Sequence, residues 1–523
     1  MSLSTLSLPR ELYLASQVQE LDRLAIDKFG IAGIELMKRA GASCFDAIQQ
    51  HWPEAKKLLV FAGGGNNGGD AYIVAGLARE QGMAVHLLSL SDPENLKGDA
   101  RLAWEWALER KVDITAFQDY THNSEFTTHN TVIVDGIFGT GLDREVEGDY
   151  AQAIEHINNS SCPVLAIDIP SGLNANTGMP MGRAVIADCT VSFIGMKRGM
   201  LTGVAGNHIG RLRFADLDIP QEVYSDDHAP IADAIRIDIH SAAKHLGGRM
   251  PASHKGDFGH VLVIGGDHGF GGASLLAAEA SLRTGAGLVS VITRSGHRSG
   301  ILARRPELMV LGTEDEGADL EALVNKATVI IVGPGLGTGE WSRAQLQRAL
   351  GAQLSRGVPL IVDADGLTLI AERDTDKTQI KRDNWILTPH PGEAARLLQC
   401  DTAEISRDRF AAVRSLQQRW GGNCLLKGHG SLIATAGEAG EGEGLFLCSE
   451  GNPGMASGGM GDVLTGVIAG LVAQGFSLGR ALRGGVCIHG EAADLAAESG
   501  QRGTIATDLL PYIRQLVNAN QAN

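Results

Sequence analysis

A glycine-rich stretch towards the end of the chain, GNPGMASGGMGDVLTG over 451–466, combines a pliable backbone with one carboxylate, that of Asp462. Six of its sixteen residues are glycine, so the backbone can bend tightly and approach a ligand. The apolar segment that follows repeats at helical spacing, which predicts a loop that opens into a helix. A helix N-terminus presents N–H donors and partial positive charge, and it therefore favours an anion, most often phosphate.

Asp462 lies where a bound phosphate would repel a carboxylate that had no chemical task. One interpretation is a general base that accepts the proton of a substrate hydroxyl while the glycines hold a transferred phosphoryl group. The other is a helix N-cap after a flexible loop. From this motif alone the two interpretations are equally supported.

A second glycine-rich turn, GGGNNGGD over 63–70, follows a predicted buried strand at 58–62 and precedes a predicted helix at 71–79. The arrangement is that of a Rossmann phosphate loop, although two asparagines and an aspartate replace the GxGxxG pattern. Those side chains can hold ribose, an amide or a cation. The string GNNGGD is therefore more specific than its glycines alone.

Further predicted strands end at Asp135 and Asp168, and Ser171 follows the second of them. A single aspartate in such a place is more often a helix cap, but the joint pattern favours a site. Because the carboxyl ends of parallel strands line one crevice, we expect Asn67, Asp135, Asp168 and Ser171 to converge. Oxygen ligands with few charges suit a hard cation, here a monovalent one.

The second half of the chain carries its own residues at predicted strand ends. Asp363 and Asp365 follow a buried strand, and His390 lies between two prolines before Glu393, where it can face a phosphate and its Mg²⁺. Lys427 begins a strand-turn, KGHGS, that suits a nucleotide phosphate or an adenine edge. Each of these is ambiguous alone, but with Asp462 they describe an adenine-nucleotide site that faces a second substrate.

Two α/β sheets are needed to position these residues. Strand and helix patterns alternate along both halves, and 523 residues exceed one ordinary core. We predict an α/β protein of two domains: a Rossmann-like α/β/α sandwich over 1–225, a polar linker over 226–230, and a larger α/β domain over 231–523. The alanine-rich and glycine-rich helices can pack between subunits, which favours a homo-oligomer.

Composition excludes several classes of protein. The net charge of −16 argues against nucleic acid as a partner. The seven cysteines are scattered and never spaced as CxxC, which indicates a reducing compartment and no zinc site. No signal peptide or apolar run of membrane length is visible, so we expect a cytoplasmic protein without a membrane partner.

Several motifs also resemble known families. GGGNNGGD, DGIFGTGL and DIPSG resemble the NAD(P)H-hydrate epimerase domain. HKGDFGHVLVIGG, GPGLG, DADGL, TPHPGE, KGHGS and GNPGMASGGMGDVLTG resemble NAD(P)H-hydrate dehydratase, which has a ribokinase-like fold. Their fusion in this order is similar to the bifunctional NAD(P)H-hydrate repair enzymes of bacteria. The resemblance covers nearly the whole chain outside the linker and the termini.

The resemblance implies roles for individual residues. The hydrated dinucleotide would contact, in the first domain, Asn66, Asn67, Gly68, Gly69, Asp70, Gly139, Thr140, Gly141, Leu142, Asp143, Arg144, Glu145 and Asp168. A potassium ion would be held by Asn67, Asp135 and Ser171. In the second domain, the hydrate would contact Ala273, Gly335, His390 and Asp462, with Gly337 as a further cofactor-binding residue. The adenine nucleotide would be held by Lys427, Gly428, His429, Gly430, Ser431 and Gly461.

The implied activity is the repair, in two steps, of NADHX and NADPHX, the hydrated forms of NADH and NADPH. The first domain would interconvert the R and S epimers with Asp168 as acid and base. The second would dehydrate the S form with Asp462 as base, consuming ADP with Mg²⁺ and giving AMP and phosphate. A homotetramer is also implied. One departure concerns the GAGD string of the wider ribokinase superfamily, which is GMGD here, so that Met460 adds bulk at the anion loop.

Two other functions fit parts of the pattern. A ribokinase-like small-molecule kinase fused to a Rossmann-like regulatory domain would share Asp462 and the glycine loop, but it would release a phosphorylated product. A protein that only senses nucleotides would need the glycines but would have no use for both Asp168 and Asp462.

Overall fold

The computed structural model describes residues 8–120, 126, 130–374, 381–437 and 443–518. These residues divide into two compact units, with the boundary between Ala234 and Ile235. The linker predicted at 226–230 falls shortly before this division, between the helix Gln221–Ser225 and the strand Ala234–Ile237, and the domain limits stay predictions. Among the helices so described, none has both the length and the apolar character that a bilayer crossing requires.

The first unit alternates strands with helices. Its strands are β1 (Glu11–Tyr13), β2 (Lys57–Ala62), β3 (Ala84–Ser89), β4 (Asp113–Ala116), β5 (Thr131–Gly136), β6 (Val164–Ile167), β7 (Cys189–Phe193), β8 (Met196–Lys197) and β9 (Arg211–Ala215). Its α-helices are α1 (Ala15–Asp27), α2 (Gly33–His51), α3 (Asn66–Glu80), α4 (Gly98–Glu109), α5 (Gly148–Asn158) and α6 (Gln221–Ser225).

Seven of these strands form a parallel sheet in the order β4-β3-β2-β5-β6-β7-β9. Strand β2 sends alternate side chains to two apolar cores, Leu58 and Val60 to one and Leu59 and Phe61 to the other. The strand order reverses between β2 and β5, which is where open α/β sheets bind ligands. The predicted Rossmann-like sandwich is confirmed.

Helix α3 begins earlier than the sequence pattern predicts. We expected a loop to Asp70 and a helix from residue 71, but the helix starts at Asn66. The reason is close packing, because a Cβ at Gly68 would lie 2.0 Å from the carbonyl oxygen of Gly63 and one at Gly69 would lie 2.6 Å from Sδ of Met37. These two glycines therefore let the helix approach its neighbours.

The second unit is larger. Its strands are β10 (Ala234–Ile237), β11 (His260–Ile264), β12 (Leu288–Thr293), β13 (Met309–Gly312), β14 (Val329–Val332), β15 (Leu360–Val362), β16 (Trp385–Leu387), β17 (Asn423–Leu426), β18 (Ser431–Thr435) and β19 (Gly444–Cys448). Its α-helices are α7 (Ile239–Ala243), α8 (Gly271–Thr284), α9 (Arg298–Arg304), α10 (Leu320–Lys326), α11 (Glu340–Arg356), α12 (Ala364–Asp374), α13 (Pro391–Leu398), α14 (Thr402–Arg407), α15 (Arg409–Trp420), α16 (Met460–Ala473), α17 (Leu478–Ala496) and α18 (Leu509–Leu516).

The sheet of this unit runs β13-β12-β11-β14-β15-β16-β17-β18-β19-β10. The strands from β13 to β17 are parallel, while β18 is antiparallel to β17 and β19. The strand order reverses between β11 and β14, so this sheet also has a switch point. The predicted larger α/β domain is confirmed.

Helices α8 and α16 pack so closely that only small residues fit between them. A Cβ at Gly466 would lie 2.2 Å from the carbonyl oxygen of Ala277, and one at Gly470 would lie 2.7 Å from Cβ of Thr284. In the alanine-rich helix α8, Ala277, Ala278 and Ala280 are buried. Because this small-residue surface packs inside one unit, the prediction of a homotetramer depends on the resemblance alone.

Candidate active sites

The first candidate site lies at the switch point of the first unit, where Asp135 closes β5. Its fully buried carboxylate accepts hydrogen bonds from the backbone N–H of Ser171 at 2.8 Å, from Oγ of Ser171 at 2.5 Å and from the N–H of Ile137 at 3.3 Å. Burial raises the pKa of Asp135 to about 6 although these bonds favour the ionised form. A buried carboxylate without a cationic partner is costly, so this position suits a bound cation.

Asn67 belongs to the same site as this carboxylate, because it lies against the segment that follows β5. Its Nδ2 is buried with no hydrogen-bond partner within the described part of the chain. A Cβ at Gly139 would lie 3.4 Å from Oδ1 of Asn67, and the N–H of Phe138 donates to Oγ of Ser171 at 2.8 Å. The three predicted potassium ligands therefore belong to one buried cluster. Its amide, hydroxyl and carboxylate oxygens with a single charge fit a monovalent cation.

Asp168 follows β6 with a left-handed backbone, at a φ of 65°. Aspartate tolerates this region better than most residues do, and the backbone N–H donates to the carbonyl of Val191 at 2.8 Å. The carboxylate forms an ion pair with Lys197, whose ammonium also donates to Oγ of Ser192 at 3.0 Å and to the carbonyl of Phe193 at 3.1 Å. The side chain of Lys197 is 1% exposed and that of Asp168 is 14% exposed, so the carboxylate is the more accessible member.

Lys197 is a functional candidate that sequence reasoning missed. From the sequence alone, Lys197 and Arg198 can either meet a phosphate or flank a turn, and the turn is the favoured interpretation. For Arg198 the structure shows an ion pair with Asp233. The available signal was the apolar sequence around Lys197 in a short strand, because a buried lysine requires an acidic partner.

Other carboxyl groups surround the pair. Burial raises the pKa of Asp70, in the first turns of α3, well above its usual value, and the charges of Asp168 and Asp22 add to the effect. Burial likewise raises the pKa of Asp22 in α1, together with the charges of Asp168 and Asp99. Asp22 and Asp99 were not among the predicted residues. The crevice therefore holds several carboxyl groups around one lysine.

The other residues predicted for this site border the cluster. Asn66 is exposed at the start of α3, while Gly68 and Gly69 are buried by the packing already described. In the loop after β5, Gly139 lies against Asn67. The positions that follow it are half-buried or exposed: Thr140, Gly141, Leu142, Asp143, Arg144 and Glu145. This loop can contact a ligand without disturbing the core.

The second candidate site is centred on Lys427 at the end of β17. Its Nζ lies 2.7 Å from Oδ1 of Asp363 and 3.8 Å from Oε2 of Glu393. The other oxygen of Asp363 accepts a hydrogen bond from Oγ1 of Thr465 at 2.9 Å. Lys427 and these bonds hold the pKa of Asp363 below its usual value, although burial opposes them. Asp363 and Lys427 are therefore a fixed ion pair.

Asp462 lies in the first turn of α16, whose N-cap is Gly459 with a φ of 90°. The N-cap interpretation of Asp462 is therefore wrong. Burial raises its pKa to about 7, with further contributions from the charges of Asp363 and Asp365, while Lys427 lowers it. A carboxyl group that titrates near neutrality can accept a proton and release it again.

Gly461 and Met460 begin the same helix in different surroundings. A Cβ at Gly461 would lie 3.4 Å from Nζ of Lys427 and 3.6 Å from Oδ2 of Asp363, so this residue faces the ion pair. Met460 is buried and its side chain belongs to the apolar core. The bulk of Met460 is therefore taken up by the core.

The residues predicted to bind the hydrate belong to several separate segments of the second unit. A Cβ at Gly335 would lie 3.1 Å from Cβ of Ala273, and the N–H of Gly337 donates to Oδ2 of Asp365 at 2.8 Å. His390 caps α13 by accepting hydrogen bonds at Nδ1 from Gly392 at 3.0 Å and Glu393 at 3.3 Å. Its side chain is 52% exposed, so its ring can also face a ligand.

The predicted nucleotide residues form the turn between β17 and β18. Gly428 and Gly430 have φ values of 141° and 60°, which few other residues adopt. The guanidinium of Arg409 donates to the carbonyls of Leu426 at 3.3 Å and Gly430 at 3.4 Å. His429 is exposed and Ser431 begins β18. A buried arginine thus fixes a turn that presents its tip to solvent.

The same site offers ligands for Mg²⁺. Carboxylate oxygens are the donors that this ion prefers, and it usually keeps waters and phosphate oxygens as its other ligands. The carboxylates here belong to Asp363, Asp365, Glu393 and Asp462. One or two of these carboxylates, completed by waters and phosphate oxygens, would be sufficient for magnesium bound together with a nucleotide.

Two protein families match this chain. Residues 33–199 match the family described as YjeF-related protein N-terminus, and residues 261–515 match the family described as NAD(P)H-hydrate dehydratase. A solved structure, ADP/ATP-dependent NAD(P)H-hydrate dehydratase from Bacillus subtilis co-crystallized with ATP/Mg²⁺, is 27% identical, with a TM-score of 0.46, and the match covers 54% of this chain and 96% of that one.

Relatives of nearly equal length carry one name, bifunctional NAD(P)H-hydrate repair enzyme. The protein of Coxiella burnetii is 43% identical over 97% of this chain and 99% of its own. That of Escherichia coli is 40% identical over 99% of this chain and 96% of its own, and that of Leishmania infantum is 40% identical over 93% and 90%. Identity at this level over almost the whole length means that the chain belongs to the family of bifunctional NAD(P)H-hydrate repair enzymes.

Proposed function

We propose that this protein repairs hydrated nicotinamide cofactors in two steps. The first unit interconverts the R and S epimers of NADHX and NADPHX, and the second dehydrates the S epimer to NADH or NADPH while ADP becomes AMP and phosphate. The observation that carries the proposal is the position of Asp462 in the first turn of α16, beside Asp363 and the half-buried Lys427, where burial raises its pKa to about 7. The shared name of the full-length relatives supports it.

Dehydration requires that a poor leaving group be converted into a good one. Asp462 accepts the proton of the hydroxyl on carbon 6 of the ring while that oxygen attacks the terminal phosphoryl group of ADP. The bond between this phosphorus and AMP breaks, which leaves a phosphate ester on carbon 6. The bond from carbon 6 to the ester oxygen then breaks and phosphate leaves, as the lone pair of the ring nitrogen forms a double bond to carbon 6. Loss of a proton from the adjacent ring carbon then restores the dihydronicotinamide.

Lys427 and Gly461 place positive charge beside this reaction. The ammonium of Lys427 lies near the position that a Cβ of Gly461 would occupy, and the helix N-terminus adds its N–H groups. Both stabilise the negative charge that spreads over the transferred phosphoryl group. Magnesium, held by one or two of the carboxylates that neighbour the ion pair of Lys427 and Asp363, would neutralise charge on the nucleotide phosphates.

Epimerisation requires that the configuration at carbon 6 be lost and reformed. Opening the ring or expelling water gives an intermediate that can close on either face. As the bond between carbon 6 and the ring nitrogen breaks, with its electron pair left on nitrogen, the Asp168 carboxylate accepts the hydroxyl proton, and it returns that proton when the ring closes. The ammonium of Lys197 balances the charge of the carboxylate before and after this exchange. Because Asp168 is the more accessible of the two, it is the member that contacts the substrate.

The cluster of Asn67, Asp135 and Ser171 would hold potassium as a scaffold. A bound monovalent cation would balance the buried charge of Asp135 and fix the segment from Phe138 to Gly139. This role is one of positioning, since neither Asp135 nor Ser171 has to exchange a proton with the substrate.

A single assay distinguishes repair from the kinase alternative. The full-length protein is supplied with ADP, Mg²⁺ and a mixture of both epimers, and phosphate and reduced dinucleotide are measured together. Repair produces the two in equal amounts until both epimers are consumed. A kinase would instead accumulate a phosphorylated product without any gain of dihydronicotinamide absorbance, and that result would exclude the proposal.

The assignment of the two activities to residues 1–225 and 231–523, the cytoplasmic location and the homotetramer belong to the same proposal. They are supported by the motifs of each half and by the likeness to the bacterial enzymes. Light scattering of the purified chain tests the tetramer directly, because a mass of one or two chains would contradict it.

A further inference from the structure

A cluster of three potential metal ligands includes none of the residues assigned to the two candidate sites. Cys448 is the last residue of β19, Glu450 follows two residues later, and Cys487 lies in α17. Their ligand atoms, two sulfurs and one carboxylate oxygen, all lie within 4.8 Å of one another. The spacing of the cysteines in the sequence gave no sign of this, because the fold brings a strand end against the middle of a helix.

The geometry of the cluster is close to that of a metal centre. Sγ of Cys448 lies 3.7 Å from Oε2 of Glu450. In a tetrahedral zinc site, Zn–S of about 2.3 Å and Zn–O of about 2.1 Å place sulfur and oxygen about 3.6 Å apart. A cation could therefore be held with little movement of the side chains.

The burial of the two cysteines and the orientation of Glu450 also favour a metal site. Both cysteines are buried, at 1% and 0% exposure, whereas Glu450 is partly exposed and offers a route of entry. The N–H of Ile239 donates to Oε1 of Glu450 at 2.6 Å, which leaves Oε2 directed to Cys448. One hydrogen bond thus orients the carboxylate towards the sulfurs, as an outer-shell partner does in metal sites.

The charges around the cluster favour a cation. The carboxylates of Asp238 and Glu491 lie near enough to Glu450 to act on its charge, so the surroundings of the cluster are acidic. Buried carboxyl groups in such surroundings are normally neutralised, paired or bound to a metal. A divalent cation would relieve this repulsion and would displace the protons of both thiols.

We propose that Cys448, Glu450 and Cys487 form a binding site for a thiophilic divalent cation, with Zn²⁺ the best fit. Two thiolates and a carboxylate match the ligand types of zinc, and a water or a further oxygen can complete the tetrahedron. The site would fasten the end of β19 to α17, which packs against α16. It is a structural site and needs no redox step.

The test uses the full-length protein, with its seven thiols reduced and its metals removed by a chelator. Titration with Co²⁺ should give a thiolate-to-cobalt charge-transfer band that saturates at one equivalent per chain and disappears when Zn²⁺ is added. Zn²⁺ should also raise the unfolding temperature. The double variant Cys448→Ser, Cys487→Ser should lose both effects, while Cys424→Ser, which removes a buried cysteine outside the cluster, should keep them.

Glu450→Gln covers the case in which the double variant does not fold. Glutamine retains an oxygen that can accept the hydrogen bond of Ile239 but lacks the charge, so Zn²⁺ affinity should fall at least about tenfold, the lower end of what loss of a partner in a metal site costs. The proposal is overturned if the reduced wild-type protein shows no cobalt band, or if the variants bind as tightly as the wild type. These readouts are independent of epimerase and dehydratase activity.

Discussion

Nζ of Lys427 lies 2.7 Å from Oδ1 of Asp363, and both groups face the first turn of α16, where a Cβ at Gly461 would lie 3.4 Å from the ammonium. This ion pair acts on Asp462 in opposite directions. The charge of Asp363 raises the pKa of Asp462 and that of Lys427 lowers it, while burial contributes most and brings it to about 7. The protonation state of the proposed base therefore changes in the neutral range.

We expect dehydration to depend on the ionised form of Asp462. The base is competent only after it has lost its proton, so kcat should rise as the pH increases through about 7 and then level off. Asp462→Asn should bind ADP but lose about 10²- to 10⁴-fold in kcat, the range typical of a lost general base. The measurement is dihydronicotinamide absorbance from the S epimer across a pH series.

Asp462→Asn, which should lower kcat, should raise the stability of the folded protein above neutral pH. Because the pKa of Asp462 is raised in the folded protein, its favourable contribution is complete at low pH and is lost as the pH rises through about 7. Asp462→Asn should therefore unfold at a higher temperature than the wild type at pH 8. A variant with normal turnover, or one less stable than the wild type at pH 8, would contradict the role given to this residue.

Gly461 provides a second test of the anion site. In Gly461→Ala, the new Cβ would meet Lys427 and Asp363 at ordinary contact distances, so the protein should fold normally. The methyl group would nevertheless fill space beside the phosphoryl position, and kcat/KM for ADP should fall about 10²-fold, as displacement by about 1 Å can cause. Gly351→Ala in α11, where a Cβ meets no atom within 4 Å, lies outside both sites and is the control that should retain activity.

Residues at strand ends were the part of the site that could be predicted from the sequence. Asn67, Asp135 and Ser171 are brought into one cluster because parallel strands β2, β5 and β6 are neighbours, which the alternation of strand and helix patterns implies. The general architecture followed from the same periodicity. Pattern alone was sufficient wherever the position of a residue depends on the end of a regular element.

Contacts that depend on packing were not predictable in this way. The early start of α3 depends on glycines that pack against Gly63 and Met37, which are distant from any turn signal. The sequence favours a turn position for Lys197, whereas in the structure strand β8 places its ammonium beside Asp168. Cys448 and Cys487 are far apart in the sequence, and only the packing of α17 against β19 brings them together.

The potassium cluster should be visible in thermal unfolding. The pKa of Asp135 is raised to about 6 by burial, so without potassium the stability that this group contributes is lost as the pH rises through about 6. Adding KCl at pH 8, against choline chloride of equal ionic strength, should raise the unfolding temperature of the first unit, and it should do so much less at pH 5. Asp135→Asn should remove this dependence on potassium. An equal response in the variant would place the ion elsewhere.

Asp168→Asn should separate the two activities within one intact chain. Asparagine tolerates the left-handed backbone at this position and keeps an oxygen that can accept a hydrogen bond from Lys197, so folding should be preserved. It cannot exchange the proton, and epimerisation should fall about 10²- to 10⁴-fold. With ADP and Mg²⁺, the variant should convert the S epimer at the wild-type rate and leave the R epimer behind, as followed by chromatography. Asp462→Asn is the reciprocal control, because it should interconvert the epimers without forming NADH. Equal loss of both activities in Asp168→Asn would mean that the carboxylate supports the fold and does not act in the epimerase reaction.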